Sequence, residues 1–300
     1  MSANNSTARQ AVIILGMHRS GTSALAGALV RLGLVPPRTK LANADDNPQG
    51  FYESQRIADR NCEILAAGQC AWNACFTLDP AELQARMGDS LNDELYQILH
   101  AEFGSHNSFV LKDPRLCLLL PLWYPGLARL SSSQHVLLIM RHPAEVARSH
   151  EARGGHPEHE TLLNWLHHML EAENMTRTLP RTVLLYEDLL RDWRKTITRA
   201  LRTAGIAPPR TLEQASAEID QFISPAMRHH CATAEGARIG PDHLAPLLDT
   251  SWRALRVLAE QPQDSAAREA LNNARHNFLH IRHAMVRQGV TITLPPALNK

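Results

Sequence analysis

Aromatic residues make up only 5% of this 300-residue chain, neither sign of charge is in surplus, and no apolar run is long. The scarcity of aromatics argues against the base-stacking platforms of single-strand nucleic-acid binders. With 31 Lys and Arg against 30 Asp and Glu, the net charge is +1, too little to hold a polyanionic backbone non-specifically, so no nucleic-acid partner is expected. The five cysteines (Cys62, Cys70, Cys75, Cys117 and Cys231) are odd in number and contain no Cys-x-x-Cys pair. That argues against a disulfide framework or a zinc ribbon and for reduced thiols in a cytoplasmic protein. The first apolar run, Ala11–Leu15, has five residues, short of the roughly 7–15 of a signal-peptide core. No stretch approaches the ~18 apolar residues of a membrane span, and no integral membrane segment is expected. The sixteen histidines are scattered, with adjacent pairs at His167-His168 and His229-His230. Adjacent residues on a helix or strand do not converge on one ion, so a solvated or packing role is expected and no metal.

What is present is an alternation of strand and helix signals. Ala11–Leu15, Phe109–Lys112, His135–Met140 and Thr182–Glu187 are rich in Val, Ile and Leu without polar alternation, the pattern of parallel strands covered on both faces. Gly21–Gly33 sets Ala24, Leu25, Ala28, Leu29 and Leu32 on one helical stripe and ends on a glycine suited to a helix C-terminus. Glu160–Leu179 repeats the pattern with Leu162, Trp165, Leu166, Met169 and Leu170, and Leu189, Trp193, Ile197 and Leu201 continue it. The fold class expected is α/β, a central parallel sheet flanked by helices. Asn43–Gly50 reads as a turn-rich loop, and 206–248, with five prolines, as loop-rich. Ser265–Gln288, with Leu271, Ala274, Phe278, Ile281 and Met285 three and four apart, reads as a helix packed on the domain rather than a dimer seam. The expected organisation is a disordered N-terminus over 1–10, one domain over 11–250, and a helical C-terminal extension over 251–300. There is no internal repeat.

The first turn carries the chemistry. Gly16-Met17-His18-Arg19-Ser20-Gly21-Thr22-Ser23 follows the first strand and opens the first helix, where backbone N–H groups converge on an anion. Against the Walker pattern G-x-x-x-x-G-K-[ST], Gly16, Gly21 and Ser23 fit but Thr22 stands at the lysine position, and the cation comes earlier, at Arg19. This stretch resembles the 5′-phosphosulfate loop of sulfotransferases that use 3′-phosphoadenosine 5′-phosphosulfate (PAPS). The Arg variant is similar to tyrosylprotein-type and many bacterial members. A second segment, Arg141-His142-Pro143 followed by Ser149, resembles the family's 3′-phosphate element. There an Arg at the strand end offers a forked contact, and a Ser about two turns along the next helix adds a hydroxyl. A third, Lys112-Asp113-Pro114-Arg115, resembles the Lys-Asp-Pro segment in which the Lys assists at the transferring sulfonyl group. Val183–Leu189, with Tyr186-Glu187-Asp188, resembles a later family strand and carries a structural expectation.

The resemblance implies a P-loop NTPase-like fold over roughly residues 10–205 and sulfonyl transfer from PAPS to a hydroxyl or amine. Such in-line transfer depends on positioning and charge stabilisation. It implies that His18, Arg19, Ser20, Gly21, Thr22, Ser23, Arg141 and Ser149 bind the donor, and that Arg19 and Lys112 stabilise charge during transfer. The candidate general base is Glu53, in Asn47-Pro-Gln-Gly-Phe-Tyr-Glu53, with His18 and Asp113 as rivals. Arg115 would meet the nucleotide or an anionic acceptor. The family's late Arg-Lys-Gly loop has no recognisable counterpart; Ser224–Cys231, with Arg228 and His229, or Arg238 could replace it, against the plainer reading of a solvated loop. The alternatives are a P-loop-type kinase or nucleotide hydrolase, and a nucleotide-binding protein without turnover. The acceptor class (small molecule, saccharide or peptide) stays open, as does a homodimer.

Overall fold

The structure, a computed structural model, describes residues 9–42, 50–72, 78–88, 90–131, 133–154, 157–224 and 240–288. Residues 1–8, most of the Asn43–Gly50 loop, Cys75, Cys231, Arg228, His229 and Arg238 lie outside the described residues. In chain order the elements are β1 (Gln10–Leu15), α1 (Thr22–Arg31), α2 (Gln55–Ala67), α3 (Pro80–Met87), α4 (Ser90–Phe103), β2 (Ser108–Lys112), α5 (Leu116–Leu130), β3 (Ser133–Met140), α6 (Pro143–Gly154), α7 (Glu158–Met175), β4 (Arg181–Leu185), α8 (Tyr186–Arg191), α9 (Trp193–Ala204), α10 (Leu212–Phe222), α11 (Ala245–Glu260) and α12 (Ser265–Arg287).

The strands form one parallel sheet in the order β2-β1-β3-β4, the α/β class expected from the alternation. Every residue of β1 is buried because the sheet is covered on both faces. Ala11, Ile13 and Leu15 enter one core with α4, α5, α7, α11 and α12. Val12 and Ile14 point the other way, into a core built with α1, α8, α9 and α10. The period-2 geometry of a strand makes this division, so a continuous apolar run supplies two cores at once. The chain leaves β1 for β2 on one side and later returns to β3 on the other. The C-terminal ends of β1 and β3 therefore flank the point where the connections diverge, the usual ligand crevice of an open α/β sheet.

Several boundaries differ from expectation for local reasons. The fourth strand stops at Leu185, and Tyr186 and Glu187, expected in the strand, begin α8; acidic Glu187 and Asp188 in the first turn suit a helix N-terminus. β1 starts at Gln10, within the stretch expected to be disordered, and Arg9 beside it hydrogen-bonds the Gly104 carbonyl. Inside the region read as loop-rich, α10 forms through a capping box. Gln214 N–H donates to Thr211 Oγ1 (3.3 Å), and Thr211 N–H donates to Gln214 Oε1 (2.9 Å). α11 runs through residue 250 without a break, so the boundary drawn there falls inside a helix. α1 ends as the sequence suggested: Gly33 is left-handed (φ 92°), with Gly33 N–H on Val30 O (2.9 Å) and Leu34 N–H on Leu29 O (3.2 Å). Among the described residues, no helix is long and apolar enough to cross a membrane.

Candidate functional site

The loop between β1 and α1 is bent by backbone conformations that side-chain-bearing residues avoid. Gly21, the N-cap of α1, has φ 91°, and a Cβ there would fall 2.1 Å from Cδ2 of Tyr186. Arg19, although not glycine, is also left-handed at φ 68°. Such strain in a non-glycine residue persists where surrounding contacts enforce it, commonly at functional sites. No side chain caps α1 and no acidic residue stands in its first turn, so the positive end of the helix faces the loop without a negative partner. Ser20 is fully buried and its Oγ has no hydrogen-bond partner, a cost unless a ligand accepts from it. An uncapped helix end and an orphaned hydroxyl fit the anionic part of a nucleotide donor. Below the loop, Gly16 N–H donates to Cys117 Sγ (3.1 Å). Burial pushes that thiol up to about 12, so it stays protonated. Cys62, Cys70 and Cys117 are all free thiols.

The two segments expected from the sequence to bind anions meet at Arg19. Its Nε donates to Ser149 Oγ (3.0 Å), and its carbonyl accepts from Arg141 Nη1 (3.4 Å). Arg141 comes from the end of β3 and Ser149 from α6, and both are buried. Glu145 Oε2 accepts from Arg141 Nε (2.8 Å), and Trp165 Nε1 donates to the Arg141 carbonyl (3.1 Å). The Arg141 guanidinium lies 5.3 Å from the centroid of the Tyr186 ring. Tyr186 thus packs against both Gly21 and Arg141.

A second cluster forms where β2 ends. Lys112 Nζ donates to Glu53 Oε1 (2.5 Å), Phe51 O (3.1 Å) and Ser23 Oγ (3.2 Å), and Ser23 Oγ also lies 3.3 Å from Phe51 O. Both members of the Lys112–Glu53 pair are almost wholly buried. Glu53 immediately precedes Ser54, the N-cap of α2, whose side chain accepts from Ile57 N–H (3.1 Å). Glu53 Oε2 lies 3.6 Å from Arg115 Nη1, longer than a hydrogen bond. Arg115 Nη1 donates to both Asp113 oxygens (3.0 Å each), and the Arg115 backbone N–H donates to Oδ1 (2.8 Å). Burial opposes the Arg115 charge, but the carboxylates of Asp113 and Glu53 raise its pKa above the usual arginine value. Asp113, a rival for the base, is thus fully buried with both oxygens held by Arg115.

His18, the other rival, has a different setting. Its ring lies 4.7 Å from Trp72 and is edge-on to His150 (6.4 Å) and His168 (6.2 Å). Its Nε2 is buried without a partner. Burial first, then the charges of Arg115, His168, His150 and Lys112, hold its pKa well below the ordinary 6.5, so the ring is neutral at pH 7. The sequence offered no sign that Trp72, His150 and His168 surround it, because the three come from separate elements. Thr22 is buried at the first position of α1. Of the remaining loop residues, Ser23 belongs to the Lys112 cluster and Arg19 to the Arg141 cluster.

No protein-family model and no curated protein matches this sequence. Among solved structures, the chain is similar to the sulfotransferase domain from the Synechococcus PCC 7002 olefin synthase, with a TM-score of 0.47 and 18% identity over 84% of this chain and 98% of that one. It is also similar to the sulfotransferase domain from the curacin biosynthetic pathway, with a TM-score of 0.40 and 18% identity over 67% of this chain and 76% of that one.

Proposed function

We propose that this chain is a sulfotransferase that moves a sulfonyl group from PAPS to a hydroxyl or amine acceptor. The observation that carries the reading is the junction at Arg19, where the β1–α1 loop, Arg141 and Ser149 meet beside an uncapped helix N-terminus and the orphaned Ser20 hydroxyl. Two groups of anion-binding side chains, read separately in the sequence as 5′-phosphosulfate and 3′-phosphate elements, suit a ligand with two anionic ends. PAPS, when bound, supplies a sulfonyl group activated by its phosphate leaving group.

In this reading the amides of the loop and of α1, with Ser20, Thr22 and Ser23, hold the 5′ end, and Arg141 and Ser149 hold the 3′ phosphate. Arg19 and Lys112 carry fixed positive charge towards the oxygens on which negative charge grows. They are already oriented by Ser149 and Glu53, so little reorganisation is required. Glu53 is the base: Oε1 is held by Lys112, and Oε2, at 3.6 Å from Arg115, is the oxygen that takes the acceptor proton. The acceptor is a small molecule, a saccharide or a peptide.

Calorimetric titration with adenosine 3′,5′-bisphosphate and, separately, Mg·ATP tests the donor. The bisphosphate is expected to bind and Mg·ATP to bind weakly or not at all; the reverse order refutes the reading. Labelled PAPS with a panel of hydroxyl and amine acceptors then tests turnover, and bisphosphate binding without transfer to any of them favours a binding protein.

A further inference from the structure

The last long helix carries histidines at positions 276, 280 and 283, on the solvent side of α12. His276 Nε2 and His280 Nε2 are 2.9 Å apart, with ring centroids 4.4 Å apart and planes crossing at 82°. Residues four apart on a helix face each other, and here the same ring nitrogen of each histidine lies at the contact. Two nitrogens bound at about 2.0–2.1 Å to one ion lie about 2.9 Å apart when cis at a right angle, and about 3.3–3.4 Å apart at the tetrahedral angle. The spacing here suits the right angle. Imidazole is moreover a preferred ligand of Cu, Ni and Zn, with Cu(II) the strongest of the divalent series.

We infer that His276 and His280 form a two-histidine chelate for a divalent transition metal of tetragonal preference, Cu(II) before Ni(II), bound through the two Nε2 atoms. Among the described residues, no group of three or more His, Cys, Asp or Glu side chains converges on one point. The protein therefore contributes two ligands, and water or small anions complete the shell. His283 lines a neighbouring recess with His280, Val286 and Arg287 and is not a ligand. Without metal, the 2.9 Å contact is a hydrogen bond in which one ring N–H donates to the other ring's lone pair; for both Nε2 lone pairs to meet one ion, that proton moves to Nδ1 of its own ring.

Chelation across one turn would fasten the C-terminal half of α12. The helix is tied to the body by Arg275 on Glu171 (2.9 and 3.0 Å) and by buried Arg282 on the Leu78 carbonyl (2.7 Å) and Asp79 (2.9 Å). Because the metal binds the folded helix better than the unfolded chain, thermal stability should rise with metal concentration. The inference stands apart from the sulfonyl-transfer reading and uses none of its residues.

The test uses the full-length chain without an affinity tag, titrated with CuCl2, NiCl2 and ZnCl2 in a non-chelating buffer. Cu(II) is expected to bind tightest at one ion per chain. His276→Ala or His280→Ala should weaken it by about tenfold or more, whereas His283→Ala should leave it unchanged. Electron paramagnetic resonance of the wild-type Cu(II) complex, which does not depend on how the variants fold, should show two nitrogen ligands. Unchanged Cu(II) affinity in the His276→Ala/His280→Ala double variant, tighter binding of Zn(II) than of Cu(II), or a spectrum without two nitrogens would overturn the inference.

Discussion

The Lys112–Glu53 pair offers the sharpest quantitative test of the site. Its side chains are 2% and 5% exposed, so neither charge can recover its hydration when the other is removed, and breaking such a pair costs about 3–5 kcal/mol. Glu53→Gln should fall at the low end, about 3 kcal/mol, because Lys112 keeps the Phe51 carbonyl and the Ser23 hydroxyl. Lys112→Met should fall at the high end, about 4–5 kcal/mol, since the Glu53 carboxylate is then left with Arg115 at 3.6 Å, beyond hydrogen-bond reach. The double variant buries no unpaired charge, so it should lose clearly less than the sum of the two, with a coupling of about 3 kcal/mol. Guanidinium denaturation of the four proteins, followed by tryptophan fluorescence, measures this. A coupling below about 0.5 kcal/mol, the range of an exposed ion pair, would refute the claim that the pair is a buried clamp. The same variants separate stability from chemistry: Glu53→Gln should still bind adenosine 3′,5′-bisphosphate while losing transfer.

The other expectations concern the loop and the buried imidazoles. Arg19→Ala should lower transfer about a hundredfold or more with a modest change in bisphosphate affinity, and Arg141→Ala should mainly weaken that affinity; equal and negligible effects in both assays would remove these residues from the site. Gly21→Ala forces a Cβ to 2.1 Å from the Tyr186 ring in a left-handed backbone, which should cost about 2–4 kcal/mol and abolish nucleotide binding. An unchanged melting temperature would show that the loop tolerates a side chain there. His168 is wholly buried, and burial holds its pKa down at about 4 from the ordinary 6.5. The unfolded chain thus takes up a proton below about pH 6.5 that the folded chain refuses until about pH 4, so stability is complete above that window and falls by about 3 kcal/mol through it. Denaturation curves between pH 4 and 7 should show a shallower slope for His168→Gln than for the wild type; parallel slopes would disprove the assignment.

Legibility from sequence followed the range of the interactions involved. The four strands could be read because each is a short apolar run whose burial on both faces leaves no polar alternation. The end of α1 could be read because Gly33 acts through its own backbone. α10 stands within a proline-bearing stretch that reads as loop-rich, and the reciprocal hydrogen bonds of Thr211 and Gln214 start it. The fourth strand is shorter than its residue types suggest: Tyr186 suits a strand by propensity but opens α8, with its ring against Gly21 and Arg141.

Local chemistry in the sequence settled the class of the fold and the position of a glycine-bearing loop between the first strand and the first helix. The tertiary structure alone decided the partnerships of the side chains around it. Arg19 is bound to Ser149, 130 positions away, Lys112 to Glu53, 59 positions away, and the His18 ring stands among Trp72, His150 and His168. Hydrogen bonds within a turn depend on neighbouring residues and leave a trace in spacing. The charge, burial and proton affinity of a side chain depend on whatever the sheet brings beside it, and no spacing along the chain records that.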